Sequence, residues 1–250
     1  MSTSPWADTL RGLTQHCRPY PRKPTLRRPV CALTLSLLFV DLIAGPVARL
    51  LDGLVPERPP VMRDMELRAK EDGFPIIGPA AGYFCYLVAR LIGARNIYEL
   101  GSGFGYSTAW FARAVTENGG GLVDHVVWDD NLSADAREYI GELGLDEFVR
   151  YTVGEAVQSL READGPFDLI FNDINKRGYP DSLDVIEAKL RTGGVLITDN
   201  VLWSGRVFDE ADRTEDTEAI REFTRRITTD RGWTASIVPI RDGLLVAQRN

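Results

Sequence analysis

Two short stretches carry the residue types that do chemistry. Residues 196–207 read LITDNVLWSGRV and residues 170–179 read IFNDINKRGY. Each opens as an apolar run and meets an acid, Asp173 in one and Asp199, followed by Asn200, in the other. An ionised carboxylate is costly to bury alone, so acids closing buried strands need water, hydrogen-bond donors or a cation nearby. Neighbouring parallel strands would bring Asp173, Asp199 and Asn200 to one rim of a sheet. Two carboxylates and an amide oxygen form a hard-oxygen set suited to Mg²⁺ or a similar divalent ion, which keeps positions for waters or substrate oxygens. The competing explanation is that these residues are helix caps and surface ion pairs.

A third stretch, YELGSGFGYS at 98–107, has the form of a strand-to-helix turn. Gly101, Gly103 and Gly105 let backbone approach a ligand closely, and Ser107 is expected to cap a helix opening with Tyr106 or Thr108. The spacing is not G-x-G-x-x-G, because Tyr106 stands where the third glycine would fall, and this weakens a dinucleotide reading. Further on, VVWDDN offers Asp129 or Asp130 to ribose hydroxyls. Asp129 is preferred because it ends the apolar run, whereas Asp130 can cap the helix expected from about Ser133. His125 lies inside the same run and is expected to be structural. In VGEAV, Glu155 or the backbone around Ala156 is placed to meet a flat base.

These residues must be positioned by alternating elements. GPAAGYFCYLVARLIGA repeats apolar residues at helical spacing, and NIYEL, LVDHVVWD, VRYTVG, FDLIFND and GVLITDN are continuous apolar runs, each followed by polar or helical text. Such alternation predicts an α/β protein with a parallel sheet covered on both faces. TASIVPI and LLVAQRN flank RDG closely enough for a hairpin. The expected fold is therefore a doubly wound, mostly parallel seven-stranded sheet whose last strand is antiparallel. In such sheets ligands gather outside the carboxyl ends of the strands, where the acids above lie.

The 250 residues carry a net charge of −7 with pI near 5.0, which disfavours nucleic acid and anionic membranes as partners and favours a small molecule. Cys17, Cys31 and Cys85 are scattered, with neither a disulfide framework nor a zinc spacing, as expected of a reduced cytoplasm. Residues 1–55 are expected to form an extension, a mobile basic arm followed by an apolar helix packing on the body or on a second subunit, with the main domain at 56–250. The apolar run at 30–40 is broken by Asp41, well short of the ~18 residues a membrane helix requires. Export or anchoring is the lesser alternative.

From about residue 60 to the end, the order and spacing of YELGSGFGYSTAWFA, FNDINKRGY and GGVLITDNVLWSGRV resemble the cation-dependent S-adenosylmethionine O-methyltransferases, the group containing catechol and caffeoyl-coenzyme A methyltransferases. The resemblance implies the Rossmann-like class I methyltransferase fold. It implies that Ile77, Glu99, Gly101, Ser102, Ser107, Asp129, Ala156 and Asp173 hold S-adenosylmethionine, and that Asp173, Asp199 and Asn200 bind Mg²⁺ or another divalent cation. Lys176 would be the base and Trp203 would wall a dihydroxy-aromatic acceptor. The family's D-N-x-L-W-x-G motif is intact, whereas the second acid of its D-x-D-K-x-x-Y motif is replaced by Asn175. A homodimer is also expected.

Overall fold

The computed structural model describes residues 45–250, so the expected basic arm and the apolar run at 30–40 lie outside the described residues. Helix α1 covers 45–54, followed by α2 (Pro60–Asp72) and α3 (Gly78–Leu91). Then come β1 (Asn96–Leu100), α4 (Tyr106–Glu117), β2 (Leu122–Val127), α5 (Asp130–Glu142), β3 (Val149–Val153), α6 (Ala156–Glu162) and β4 (Phe167–Asn172). The chain ends with α7 (Tyr179–Lys189), β5 (Leu190–Thr198), α8 (Glu215–Thr229), β6 (Trp233–Val238) and β7 (Leu244–Arg249).

The seven strands form one sheet in the order β3-β2-β1-β4-β5-β7-β6, parallel from β3 through β5, with β7 antiparallel to both its neighbours. This is the expected doubly wound arrangement. The period-2 alternation of strand side chains divides the core into two layers. Ile97, Leu169, Phe171, Val195 and Ile197 face one layer with Cys85, Trp110 and Phe111, while Tyr98, Ile170 and Leu196 face the other with Tyr179 and Phe223. Because helices cover both faces, the central strands are apolar along their length, and that is why they read as unbroken runs.

One boundary differs from expectation. Strand β5 begins at Leu190 rather than Gly194, with a register jump from the Phe167–Leu190 pair to Leu169–Val195. The intervening excursion is held by Arg191, whose Nε donates to Asp168 Oδ1 at 2.6 Å. Among the described residues no helix is long and apolar enough to cross a membrane. Strand order reverses between β1 and β4, so a crevice is expected outside their carboxyl ends.

Candidate active site

A cavity of about 1230 Å³ opens there, between the ends of β1, β4 and β5 and the segment joining α2 to α3. Of the residues singled out from the sequence, Ile77, Gly101, Ser102, Ser107, Ala156, Asp173, Lys176, Asp199, Asn200 and Trp203 line it. Glu155 does too, although its carboxylate caps α6 by accepting from Val157 N and Gln158 N.

The glycine turn is stitched to both neighbouring strands. Gly101 N and Ser102 N donate to Val126 O at 3.2 and 3.0 Å, and Ser102 Oγ accepts from Val126 N at 2.9 Å. On the other side Asp173 N donates to Leu100 O at 2.9 Å. Gly101 has φ +88°, and a Cβ there would stand 2.6 Å from the carbonyl oxygen of Asp173. The turn and the first acid are therefore in backbone contact, which only glycine allows.

Ser107 does not cap α4 as expected. The helix opens at Tyr106 behind Gly105, without a side-chain cap, and Ser107 lies within the first turn. The serine and Thr108 instead turn their hydroxyls to Glu99, with Thr108 Oγ1 donating to Glu99 Oε2 at 2.5 Å. Glu99 is completely buried and does not line the cavity, and its Oε1 accepts no hydrogen bond among the described residues. Burial pushes its carboxyl up to about 7, against those two hydroxyls. His125 is buried in β2 as expected, its Nδ1 3.0 Å from Thr108 Oγ1, but its Nε2 has no partner among the described residues. Burial lowers its imidazole to about 3.

These two shifts oppose each other in pH. A carboxyl raised from 4.5 to about 7 binds its proton more tightly when folded, so stability falls as pH rises through that window. An imidazole lowered from 6.5 to about 3 resists protonation when folded, so stability falls as pH drops below 6.5. Glu99→Gln is therefore expected to raise the melting temperature at pH 8, by up to about 3 kcal/mol of stability, and to change it little at pH 5. The variant's acid limb should also be steeper than that of the natural chain, because the Glu99 titration that opposes His125 is gone. Scanning calorimetry at both pH values checks this, and a lower melting temperature at pH 8 would contradict it.

Asp129 takes the capping part expected of Asp130, and neither acid lines the cavity. Strand β2 ends at Val127, and Asp129 is the residue that caps α5, its Oδ1 accepting from Asn131 N at 2.8 Å and Leu132 N at 3.1 Å. Asp130 is the first residue of that helix, which starts earlier than Ser133. Trp128, not Asp129, lines the cavity.

The acid cluster follows directly from sheet register. Strands β4 and β5 are parallel neighbours that pair Asn172 with Thr198, so the next residues, Asp173 and Asp199, stand side by side. Asp199 Oδ1 accepts from Asn200 N at 2.8 Å, and Asp173 Oδ1 accepts from Lys176 Nζ at 2.8 Å. The second oxygen of each carboxylate accepts no hydrogen bond among the described residues. Burial first, and then the nearby Asp173, raise the Asp199 carboxyl to about 7. Burial also raises Asp173, with Lys176 opposing. Lys176 Nζ donates further to Tyr179 Oη at 2.9 Å, and Tyr179 Oη donates to the Asp199 carbonyl at 2.8 Å. Asn175, in place of the family's second acid, accepts from Arg177 N and caps the turn into α7. Among the described residues no group of three or more His, Cys, Asp or Glu side chains gathers as a metal cluster, so the candidate set is two acids plus the Asn200 amide.

Sequence inspection missed Arg241. It belongs to the RDG turn between β6 and β7, lines the cavity, and places Nη1 4.0 Å from Asp199 Oδ2. The only sequence signal was a turn carrying a bulky cation. Arg206 pairs with Asp212 at 2.7 Å and places its guanidinium over the Trp203 ring.

Comparison with known proteins accounts for this arrangement. The sequence pattern of the O-methyltransferase family matches residues 58–250. A catechol O-methyltransferase of Niastella koreensis is 34% identical over 174 residues, spanning 67% of this chain and 78% of that protein. The O-methyltransferase of Bacillus cereus, solved with S-adenosylhomocysteine, superposes with a TM-score of 0.75 at 27% identity, covering 83% of this chain and 98% of that one. The Streptomyces achromogenes O-methyltransferase of tomaymycin synthesis, solved with S-adenosylmethionine, gives 0.75 at 25% identity over 83% and 97%. The glycine turn, the paired strand-end acids and these matches lead to one conclusion: the chain belongs to the family of S-adenosylmethionine-dependent O-methyltransferases.

Proposed function

We propose that the protein transfers a methyl group from S-adenosylmethionine to one hydroxyl of a catechol-like, vicinal dihydroxy-aromatic molecule, with Mg²⁺ or another divalent cation held by Asp173, Asp199 and Asn200. The observation that carries this reading is the pair of adjacent carboxylates, each with one oxygen that accepts no hydrogen bond among the described residues, in the wall of a cavity shared with the glycine turn. Gathering two acids in a poorly solvated place is unfavourable without a compensating cation, and the donor set is all oxygen. The Niastella koreensis relative named for catechol supports the acceptor class.

Methyl transfer is an in-line displacement: the acceptor oxygen forms a bond to the methyl carbon as the carbon–sulfur bond breaks, and the electron pair returns to sulfur. The chain must hold oxygen and carbon about 3 Å apart in line, and that positioning supplies much of the rate. A divalent ion supplies a field that favours ionisation of an acceptor hydroxyl. The backbone of Gly101 and Ser102, with Ile77 and Ala156, would hold the donor, and all four residues line the cavity. Glu99 and Asp129 would act on it indirectly, by fixing the starts of α4 and α5. Lys176, tethered to Asp173 and Tyr179, is the group to take the hydroxyl proton, and Trp203 walls the acceptor. Val47, Leu50 and Leu54, exposed on α1, support the expectation of a homodimer.

The test is transfer of labelled methyl to a catechol panel, with and without chelator. Loss of transfer in chelator and recovery on adding Mg²⁺ are expected. Transfer that survives chelation would overturn the metal role, and binding of S-adenosylhomocysteine without transfer to any catechol would overturn the acceptor class.

A further inference from the structure

Arg241 occupies a backbone conformation that its side chain does nothing to favour. Its φ is +52°, at the first central position of a turn closed by Gly243 N donating to Ile240 O at 2.9 Å. Glycine, asparagine or aspartate fill such a position more readily than arginine. The turn is also fixed in place. Val201 N and Leu202 N donate to the carbonyls of Gly243 and Asp242 at 3.1 and 2.9 Å, and the Asp242 carboxylate accepts from Ser204 N at 2.5 Å. A strained residue held this firmly indicates a task for its side chain.

Two cations line the cavity among the described residues, Lys176 and Arg241. Lys176 is engaged by Asp173, Tyr179 and the Ile174 carbonyl. Arg241 makes no hydrogen bond among the described residues, and Asp199 at 4.0 Å is at the outer limit of an ion pair. Its stem passes over Gly78, where a Cβ would sit 3.3 Å from Arg241 Cδ, so the missing side chain leaves it room. The residue also borders an adjoining cavity of about 310 Å³ whose lining includes Lys70 and Glu66, the latter engaged by Arg58 and Tyr106. A guanidinium with five donors, most of them unused, at the mouth of a small-molecule cavity is suited to a planar anion.

We infer that Arg241 reads an anionic substituent, a carboxylate, on the methyl acceptor and so selects acidic over neutral dihydroxy-aromatic molecules. The inference rests on the catechol reading above. Arg241 acts on specificity and has no part in the transfer step. The side chain reaches the cavity from the β6–β7 turn, over Gly78, so the acceptor's carboxylate is expected to lie at that border of the cavity.

The test compares 3,4-dihydroxybenzoate with 3,4-dihydroxybenzamide, which differ in charge at nearly constant shape, on the full chain with S-adenosylmethionine and Mg²⁺. The natural chain is expected to favour the acid at least tenfold in kcat/KM. Arg241→Gln should reduce that acid-to-amide ratio at least tenfold through KM for the acid, and Arg241→Lys should restore part of it. A role limited to balancing the charge of Asp199 would scale both acceptors alike, so an unchanged ratio overturns the inference. Calorimetric binding of both compounds to the S-adenosylhomocysteine complex gives the same ratio without turnover. If neither compound is methylated, the catechol reading fails, while a binding preference for the acid that vanishes in Arg241→Gln still upholds the role of Arg241. Equal binding of the two compounds by the natural chain overturns it.

Discussion

Asp199→Ala is expected to lower kcat for a catechol acceptor at least about 10³-fold while changing the affinity for S-adenosylhomocysteine by less than about fivefold. The carboxylate closes β5, lines the cavity beside Asp173, and offers an oxygen that accepts no hydrogen bond among the described residues. Removing it deletes one of two anionic donors from the proposed cation site and leaves the glycine turn, on the other side of β4, untouched. The same change removes a buried charge that repels Asp173, so the melting temperature in chelator should hold or rise. Loss of activity without loss of fold or donor binding separates a role in chemistry from one in structure. Activity within tenfold of the natural chain would refute the proposed cation site, whatever the acceptor. Isothermal calorimetry with Mg²⁺ on both proteins supplies a readout independent of turnover.

Gly101→Ala is expected to act on fold and donor site together. The residue needs φ +88°, and the added methyl would meet the Asp173 carbonyl at 2.6 Å, a backbone atom that cannot swing aside as a side chain would. A left-handed alanine and an overpacked contact together cost about 2–5 kcal/mol. For a chain of this size that lowers the melting temperature by roughly 5–15 °C. Relief of the clash requires β1 and β4 to part at their carboxyl ends, so binding of S-adenosylhomocysteine should weaken at least about 100-fold, the loss that a misplaced site produces. Gly73→Ala is the control. It has φ +65° but nothing within 4 Å of the added methyl, so it carries the conformational cost alone. Equal effects of the two substitutions would show that the contact with Asp173 is unimportant.

What could be read from the sequence, and what could not, divides along physical lines. Continuous apolar runs ending in acids identified the strands and the end of the sheet where chemistry gathers, because burial on both faces and carboxyl-end ligand sites both leave marks in local composition. The pairing of Asp173 with Asp199 was an expectation from adjacency, and the parallel register of β4 and β5 supplies it. Roles that depend on one or two residues of helix start are not legible in the sequence. The local sequence suggests Ser107 as the cap of α4 and Asp130 as that of α5, whereas Gly105 and Asp129 stand at those positions. Local sequence constrains such boundaries weakly.

Glu99 precedes the glycines as a cofactor-binding acid would, yet its carboxylate turns behind the turn to Ser107 and Thr108. Side-chain direction at a strand end is decided by the packing of the helix that follows. Arg241 lay furthest from view. No local pattern tells a turn arginine that faces solvent from one folded back over Gly78 toward Asp199, because the two meet only after β7 inserts between β5 and β6. By itself the sequence determined the alternating elements, the apolar strands and the residue types at their ends, since each is a local balance of burial and propensity. Which of those ends face one another, which acids remain free to bind, and which cation reaches the cavity were decided by tertiary structure, because they depend on register and crossover between segments far apart in the chain.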